Sequence, residues 1–127
     1  ALMVFRRISS MENIIETGDK LDSIINRRLI ENIFWKNTPL HDGAMIVDNN
    51  RIVAARCTLP ISQNLELPPQ YGLRHRAAAS VTSETDAFAI VVSEETGNIS
   101  FVVDGTIRTV TSLSELKLSI ESAYNEA

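Results

Sequence analysis

The chain has 127 residues, 44% apolar and 22% charged, which suits one soluble globular domain and excludes disordered or fibrous classes. Its longest uncharged run is the nine residues Cys57 to Leu65, broken by Pro60, far short of the roughly 20 apolar residues of a membrane-spanning helix. The net charge is −4, divided as +2 over residues 1–83 and −6 over residues 84–127, which disfavours general nucleic-acid binding and points any anion site to the neighbourhood of Arg74 and Arg76.

Leu2 to Phe5 is an apolar run that predicts a strand. Ser10 to Ile15 predicts one or two helical turns, ended by Gly18. Ile24, Ile25, Leu29, Ile30, Ile33 and Phe34 recur at helical spacing, so an amphipathic helix is expected there, stopping before Pro39. Phe34 and Trp35 read as core residues at its end. Arg6-Arg7 and Arg27-Arg28 read as solvated pairs.

Ala44 to Val47 and Arg51 to Ala55 flank the turn residues Asp48-Asn49-Asn50 and predict a hairpin. Residues 58–72 hold Pro60, Pro68, Pro69 and Gly72 and predict a long irregular segment, of the kind that often carries function. Arg74 to Thr85 predicts a helix. Phe88 to Ser93 is continuously apolar up to its last residue, as in a central strand buried on both faces. Ile99–Val103 and Ile107–Val110 flank Asp104-Gly105, a strong hairpin signal. Ser112-Leu113-Ser114-Glu115 is a capping box opening a last helix through Leu116 and Ile120. These elements predict an α/β fold, a single domain over residues 1–127 with a central mixed β-sheet flanked by helices.

Three segments hold residues able to do chemistry. In Thr38-Pro39-Leu40-His41-Asp42-Gly43-Ala44 a carboxylate stands beside an imidazole, suited to a metal or a general base, and Gly43 permits close backbone approach. Asp-Gly alone is more often a turn. Gly72-Leu73-Arg74-His75-Arg76 places two arginines in the first turn of a helix, where the macrodipole favours negative charge. A bound phosphate would satisfy that arrangement, and so would ion pairs with nearby carboxylates. In Val92-Ser93-Glu94-Glu95-Thr96-Gly97, Ser93 could bond a phosphate oxygen and Glu94 or Glu95 could hold a divalent cation; two adjacent glutamates also fit a solvated turn. Cys57, the one cysteine, excludes an internal disulfide and fits a reducing compartment; it reads as a packed side chain. Neither GxxxxGK[ST] nor GxGxxG occurs.

Taken together the segments resemble the diadenylate cyclase domain, the module that makes cyclic di-AMP from two ATP. The resemblance rests on Asp42-Gly43-Ala44 followed by Arg74-His75-Arg76. Ile15-Glu16-Thr17-Gly18, Leu21-Asp22, Asn37 to His41, Leu59-Pro60 and Val92 to Gly97 extend it over nearly the whole chain. Leu73 stands where the family commonly has Thr, and Thr58 where an aromatic often precedes Leu-Pro in the adenine pocket, implying one fewer polar contact and weaker stacking on the base.

The resemblance implies one ATP per protomer and a face-to-face homodimer, with catalytic groups Asp42, Arg74, His75 and Arg76. It implies nucleotide contacts from Gly43, Ala44, Thr58, Leu59, Gly72, Leu73, Ser93 and Glu94 beside the three basic residues. It implies a divalent cation (Mn²⁺, Mg²⁺ or Co²⁺) near His41, Asp42 and Glu95. The membrane-anchored type of the family fits best, so anchoring helices are expected upstream of Ala1 and the domain at the cytoplasmic face of a bacterial membrane; no nucleic-acid partner is expected. Three other readings remain open: a nucleotide-binding relative without catalysis, a nucleic-acid module using Arg74, Arg76, Arg27 and Arg28, and a phosphohydrolase built on His41 and Asp42.

Overall fold

The computed structural model describes residues 1–63 and 65–125. The expected loop 58–72 therefore includes one residue outside the described set, and the expected domain 1–127 two more at its end. The elements run β1 (Leu2–Phe5), α1 (Glu12–Ile15), β2 (Asp19–Ile24), α2 (Arg27–Ile33), a 3₁₀ turn (Pro39–His41), β3 (Ala44–Asp48), β4 (Arg51–Cys57), α3 (Leu73–Glu84), β5 (Phe88–Val92), β6 (Ile99–Val103), β7 (Thr106–Val110) and α4 (Leu113–Asn125).

Seven strands form one sheet in the order β2-β4-β3-β1-β5-β6-β7. β1 pairs parallel with β3 and antiparallel with β5, and the remaining neighbours are antiparallel. This is the mixed sheet the sequence predicts.

Alternation along β1 serves both faces. Leu2 and Val4 join Ile46, Ala89, Val91 and Val102 under α3. Met3 and Phe5 face the other way, toward α2 beside β3 and β4 and toward α4 beside β5 and β6. Ala77, Ala78 and Ala79 are buried where α3 meets the sheet, and their small side chains let the helix lie close to it. On the opposite face Phe88, fully buried, stacks on Phe5 at 4.8 Å and on Phe101 at 5.4 Å, with Tyr124 edge-on at 5.0 Å. Burying a ring of that size stabilises by about 1.5–3 kcal/mol, and ring pairing adds to it.

Three expectations need correction. Ile24 and Ile25 are not on a helix: β2 ends at Ile24, both residues are exposed, and α2 starts at Arg27 once the Asn26 side chain accepts the Leu29 N–H at 3.1 Å. Trp35 is 58% exposed rather than core, whereas Phe34 packs inward. Nor is Arg6 simply solvated; it pairs with Asp48 at 3.1 Å. At the last helix, Ser112 Oγ accepts the Glu115 N–H at 3.1 Å, while the Glu115 carboxylate takes the Thr111 N–H.

Candidate active site

A cavity of about 970 Å³ opens where four strand ends meet. The pairings Leu2 with Val91 and Ala44 with Cys57 bring together the starts of β1 and β3 and the ends of β4 and β5. The loops leaving those ends carry the candidate residues.

Asp42 and Gly43 reach the cavity from the 3₁₀ turn. Thr38 Oγ1 lies 3.1 Å from the carbonyls of Ile33 and Trp35, to which it donates, tying the loop to the end of α2. The Thr38 carbonyl lies 2.6 Å from His41 Nδ1. A carbonyl only accepts, so Nδ1 carries the proton and the neutral ring keeps a lone pair on Nε2. That lone pair faces Asp42 Oδ1 at 3.3 Å. Two acceptors so placed repel unless a second proton or a cation lies between them. Gly43 has φ +96°, and a Cβ there would stand 2.6 Å from the Cys57 carbonyl oxygen. Glycine is therefore required, both by conformation and by contact with β4.

The β4 wall follows the same logic. A Cβ on Gly18 would overlap the Ala55 carbonyl oxygen and stand 2.6 Å from Cys57 Sγ. Gly18 thus lets the α1–β2 turn lie against β4. Beside it, Thr17 Oγ1 donates to the Ile14 carbonyl at 2.6 Å and accepts the Thr58 N–H at 2.8 Å. Thr17 fixes where the chain leaves β4 and so positions Thr58 and Leu59. Cys57 is buried, and its thiol is pushed up to about 11 by that burial and then by the Asp19 charge. It is chemically quiet, as the sequence suggests.

The opposite wall is the start of α3. Gly72 is its N-cap in extended conformation, with no side-chain cap and no acid in the first turn. The first N–H groups of this 12-residue helix open beside Leu73, Arg74 and His75. Arg74 pairs with Glu94 at 3.1 Å, the alternative the sequence left open. Both side chains are partly exposed, so the pair is worth little and can be exchanged for an anion. Burial lowers the His75 pKa. Its ring lies 5.1 Å from Tyr71, and Nε2 lies 3.5 Å from Ser100 Oγ.

Of the residues singled out in the sequence, Asp42, Gly43, Ala44, Thr58 and Leu59 line the cavity from one side, and Gly72, Leu73, Arg74 and His75 from another. Ser93, Glu94 and Glu95 close it at the end of β5. His41 and Arg76 do not line it; His41 stands behind Asp42. Glu95 is not gathered with His41 and Asp42, since no cluster of three or more potential metal ligands exists among the described residues. Thr17 and Arg56 also line the cavity, and local sequence gives no sign of it because β2–β4 pairing brings them there.

The comparisons with known proteins agree with this architecture. Residues 1–107 match the family model described as DisA bacterial checkpoint controller nucleotide-binding, abbreviated DAC. The diadenylate cyclase CdaS of Bacillus thuringiensis is 44% identical over 110 residues, 87% of this chain and 55% of that protein. The cyclic di-AMP synthase CdaA of Bacillus subtilis is 40% identical over 126 residues, 99% of this chain and 46% of that protein. The chain thus spans about half the length of these relatives. A crystal structure of a doubly substituted DacA from Staphylococcus aureus has TM-score 0.92 and 39% identity, covering 98% of this chain and 83% of that one. A structure described as a hypothetical membrane spanning protein from Bacillus cereus has TM-score 0.83 and 43% identity, covering 88% and 55%. A family match over most of the length, relatives at 40% identity or more and a shared fold leave one conclusion: the chain belongs to the DAC family of DisA-type nucleotide-binding domains.

Proposed function

We propose that this domain is a diadenylate cyclase module. It binds one ATP in the 970 Å³ cavity, and two copies meeting across a two-fold axis condense two ATP into cyclic di-AMP with release of two pyrophosphates. The carrying observation is the convergence of Asp42 with an uncapped α3 start bearing Arg74 and His75 on one cavity. A carboxylate suits activation of a hydroxyl, and free N–H groups with a guanidinium suit a polyphosphate. The curated relatives named diadenylate cyclase and cyclic di-AMP synthase support the same chemistry.

In this scheme Asp42 orients the 3′-hydroxyl of its own ATP and accepts its proton. The hydroxyl oxygen bonds to the α-phosphorus of the partner's ATP, and the bond to the β-phosphate bridge breaks. Arg74, the first N–H groups of α3 and Ser93 hold the phosphates, Arg74 leaving Glu94 to do so. Gly43, Ala44, Thr58 and Leu59 bound the ribose and base. His75 and Arg76 complete the phosphate-holding set that the resemblance implies, Arg76 from outside the cavity lining. Holding both substrates in line supplies roughly 7–11 kcal/mol of the rate enhancement.

The facing lone pairs of His41 Nε2 and Asp42 Oδ1 fit a divalent cation, and the family resemblance adds Glu95, which lines the cavity apart from that pair. A cation held there would supply charge neutralisation on the transferring and leaving oxygens. The preference among Mn²⁺, Mg²⁺ and Co²⁺ is a matter for the assay. Among the described residues no helix is long and apolar enough to cross a membrane. We place the domain at the cytoplasmic face of a membrane, held by segments outside this sequence; the membrane spanning description of the Bacillus cereus neighbour supports that placement.

The test is incubation of concentrated domain with ATP and each metal separately, with products identified by mass spectrometry. Cyclic di-AMP is expected from the native chain and not from Asp42→Asn, with activity per protomer rising with concentration. ATP bound but unchanged with every metal would instead support a nucleotide-binding relative without catalysis.

A further inference from the structure

We propose that the guanidinium of Arg56 is the surface on which the base of the bound nucleotide stacks, with Asp19 holding it at the cavity wall. The inference rests on the nucleotide reading of the cavity and adds a residue to it.

A purine taken from water needs a partner for its flat faces, normally an aromatic ring or an arginine. No Phe, Tyr or Trp is among the described residues lining the cavity. The flat rings and guanidinium groups that line it belong to His75, Arg74 and Arg56. His75 already has the Tyr71 ring against it at 5.1 Å. Arg74 is held by Glu94 at 3.1 Å, at the anion-binding start of α3. Arg56 remains, on the same wall as Thr58 and Leu59.

The backbone at Arg56 is built to present that side chain. Ala44 pairs with Cys57 and Ile46 with Ala54, so β4 spends three steps where β3 spends two. The extra residue is a β-bulge at Ala55–Arg56, and Arg56 has φ +57°. Glycine would hold that left-handed conformation with less strain. An arginine there re-aims its side chain out of the strand's alternation and toward the cavity mouth. Asp19 Oδ2 meets Arg56 Nε at 3.3 Å, with both side chains about half exposed. An ion pair between two half-exposed groups tethers the guanidinium at the cavity wall and leaves about half of the side chain open to a ligand.

Calorimetry on the purified domain separates stacking from phosphate binding. The probes are α,β-methylene-ATP and inorganic tripolyphosphate, with circular dichroism as the control for folding. Arg56→Ala should weaken the nucleotide analogue about three- to thirty-fold and leave tripolyphosphate affinity unchanged. Arg56→Tyr should restore nucleotide affinity, whereas Arg56→Lys, which keeps the charge and loses the plane, should not. Equal weakening of both probes by Arg56→Ala, or full rescue by Arg56→Lys, would make Arg56 a phosphate contact and overturn the proposal. Unchanged nucleotide binding in Arg56→Ala would overturn it alone, whereas a folded native domain that binds no nucleotide would overturn the functional reading as well.

Discussion

Substituting Gly43 with alanine tests how the Asp42 loop is held. Two costs combine at this position. The φ of +96° is one that side-chain-bearing residues rarely adopt, worth roughly 1–2 kcal/mol in the left-handed region and more away from its centre. The new Cβ would also stand 2.6 Å from the Cys57 carbonyl oxygen and 3.0 Å from the Arg56 carbonyl carbon. Both are backbone atoms, so no side chain can rotate away, and overpacking of this kind costs about 1–3 kcal/mol. Gly97 supplies the comparison: its φ is +74° and nothing lies within 4 Å of the place a Cβ would take. Gly97→Ala therefore carries the conformational cost alone. With a denaturant slope of about 2 kcal/mol/M, the extra overlap places the urea midpoint of Gly43→Ala roughly 1 M below that of Gly97→Ala. The proposed cyclase activity should fall in Gly43→Ala in step with displacement of Asp42 and persist in Gly97→Ala. Equal urea midpoints for the two variants would refute the claim that contact with β4, and not the backbone conformation alone, requires glycine at position 43.

Two pH effects follow from titrating groups. Burial opposes ionisation of Asp86, but hydrogen bonds from Ser9 and Ile8 and the charge of Arg7 outweigh it and hold the carboxyl below its ordinary 3.8. Its stabilisation is therefore complete above that value and lost as pH falls through the depressed one. Asp86→Asn should cost about 1–2 kcal/mol at pH 7, and its thermal midpoint should converge with the native one in acid; a constant gap down to about pH 2, below the carboxylate range, would contradict this. His75, lowered mainly by burial from 6.5, is protonated more readily in the unfolded chain. Stability should thus fall as pH drops below 6.5, and the fall should vanish in His75→Gln. A polyphosphate beside the ring favours the imidazolium, so ATP binding near pH 6 should take up protons. Calorimetry in buffers of different ionisation heat reads that uptake directly, and binding heats independent of buffer would remove His75 from the phosphate site.

Apolar runs, turn residues and caps made most of the fold legible, because β1, β3, β5 and the β6–β7 hairpin announce themselves by composition. β2 does not. Its sequence Asp19-Lys20-Leu21-Asp22-Ser23-Ile24 is polar and lies at the sheet edge, where only one flank needs a partner and little is buried. Ile24 and Ile25, both exposed, imitate the start of the following helix. In the site, the motif residues on the Asp42 and Arg74 loops were readable because several chemical groups sit close together in sequence. Thr17, Gly18 and Arg56 act through strand pairing between segments far apart in the chain, and only the assembled sheet relates them to Thr58 or Asp19. Arg74 illustrates a limit of a different kind: its local charge fits an anion equally with or without the Glu94 partner that the fold provides.

The position of β1 has a kinetic consequence. β2, β4 and β3 form one continuous block of chain, and β5, β6 and β7 another. β3 with β4, and β5 to β7, can assemble through short loop closures, on the fast side of folding, while β2 reaches β4 across α2 and β3. Joining them requires four residues, Leu2 to Phe5, to find Met45 to Val47 on one side and Phe88 to Val91 on the other. The first strand of the sheet is thus joined across the largest sequence separation in it. Asp42 lies on one block, and Ser93 and Glu94 on the other, so these cavity-lining groups acquire their spacing when the blocks join. A slowed seam would leave two well-formed halves and no cavity between them.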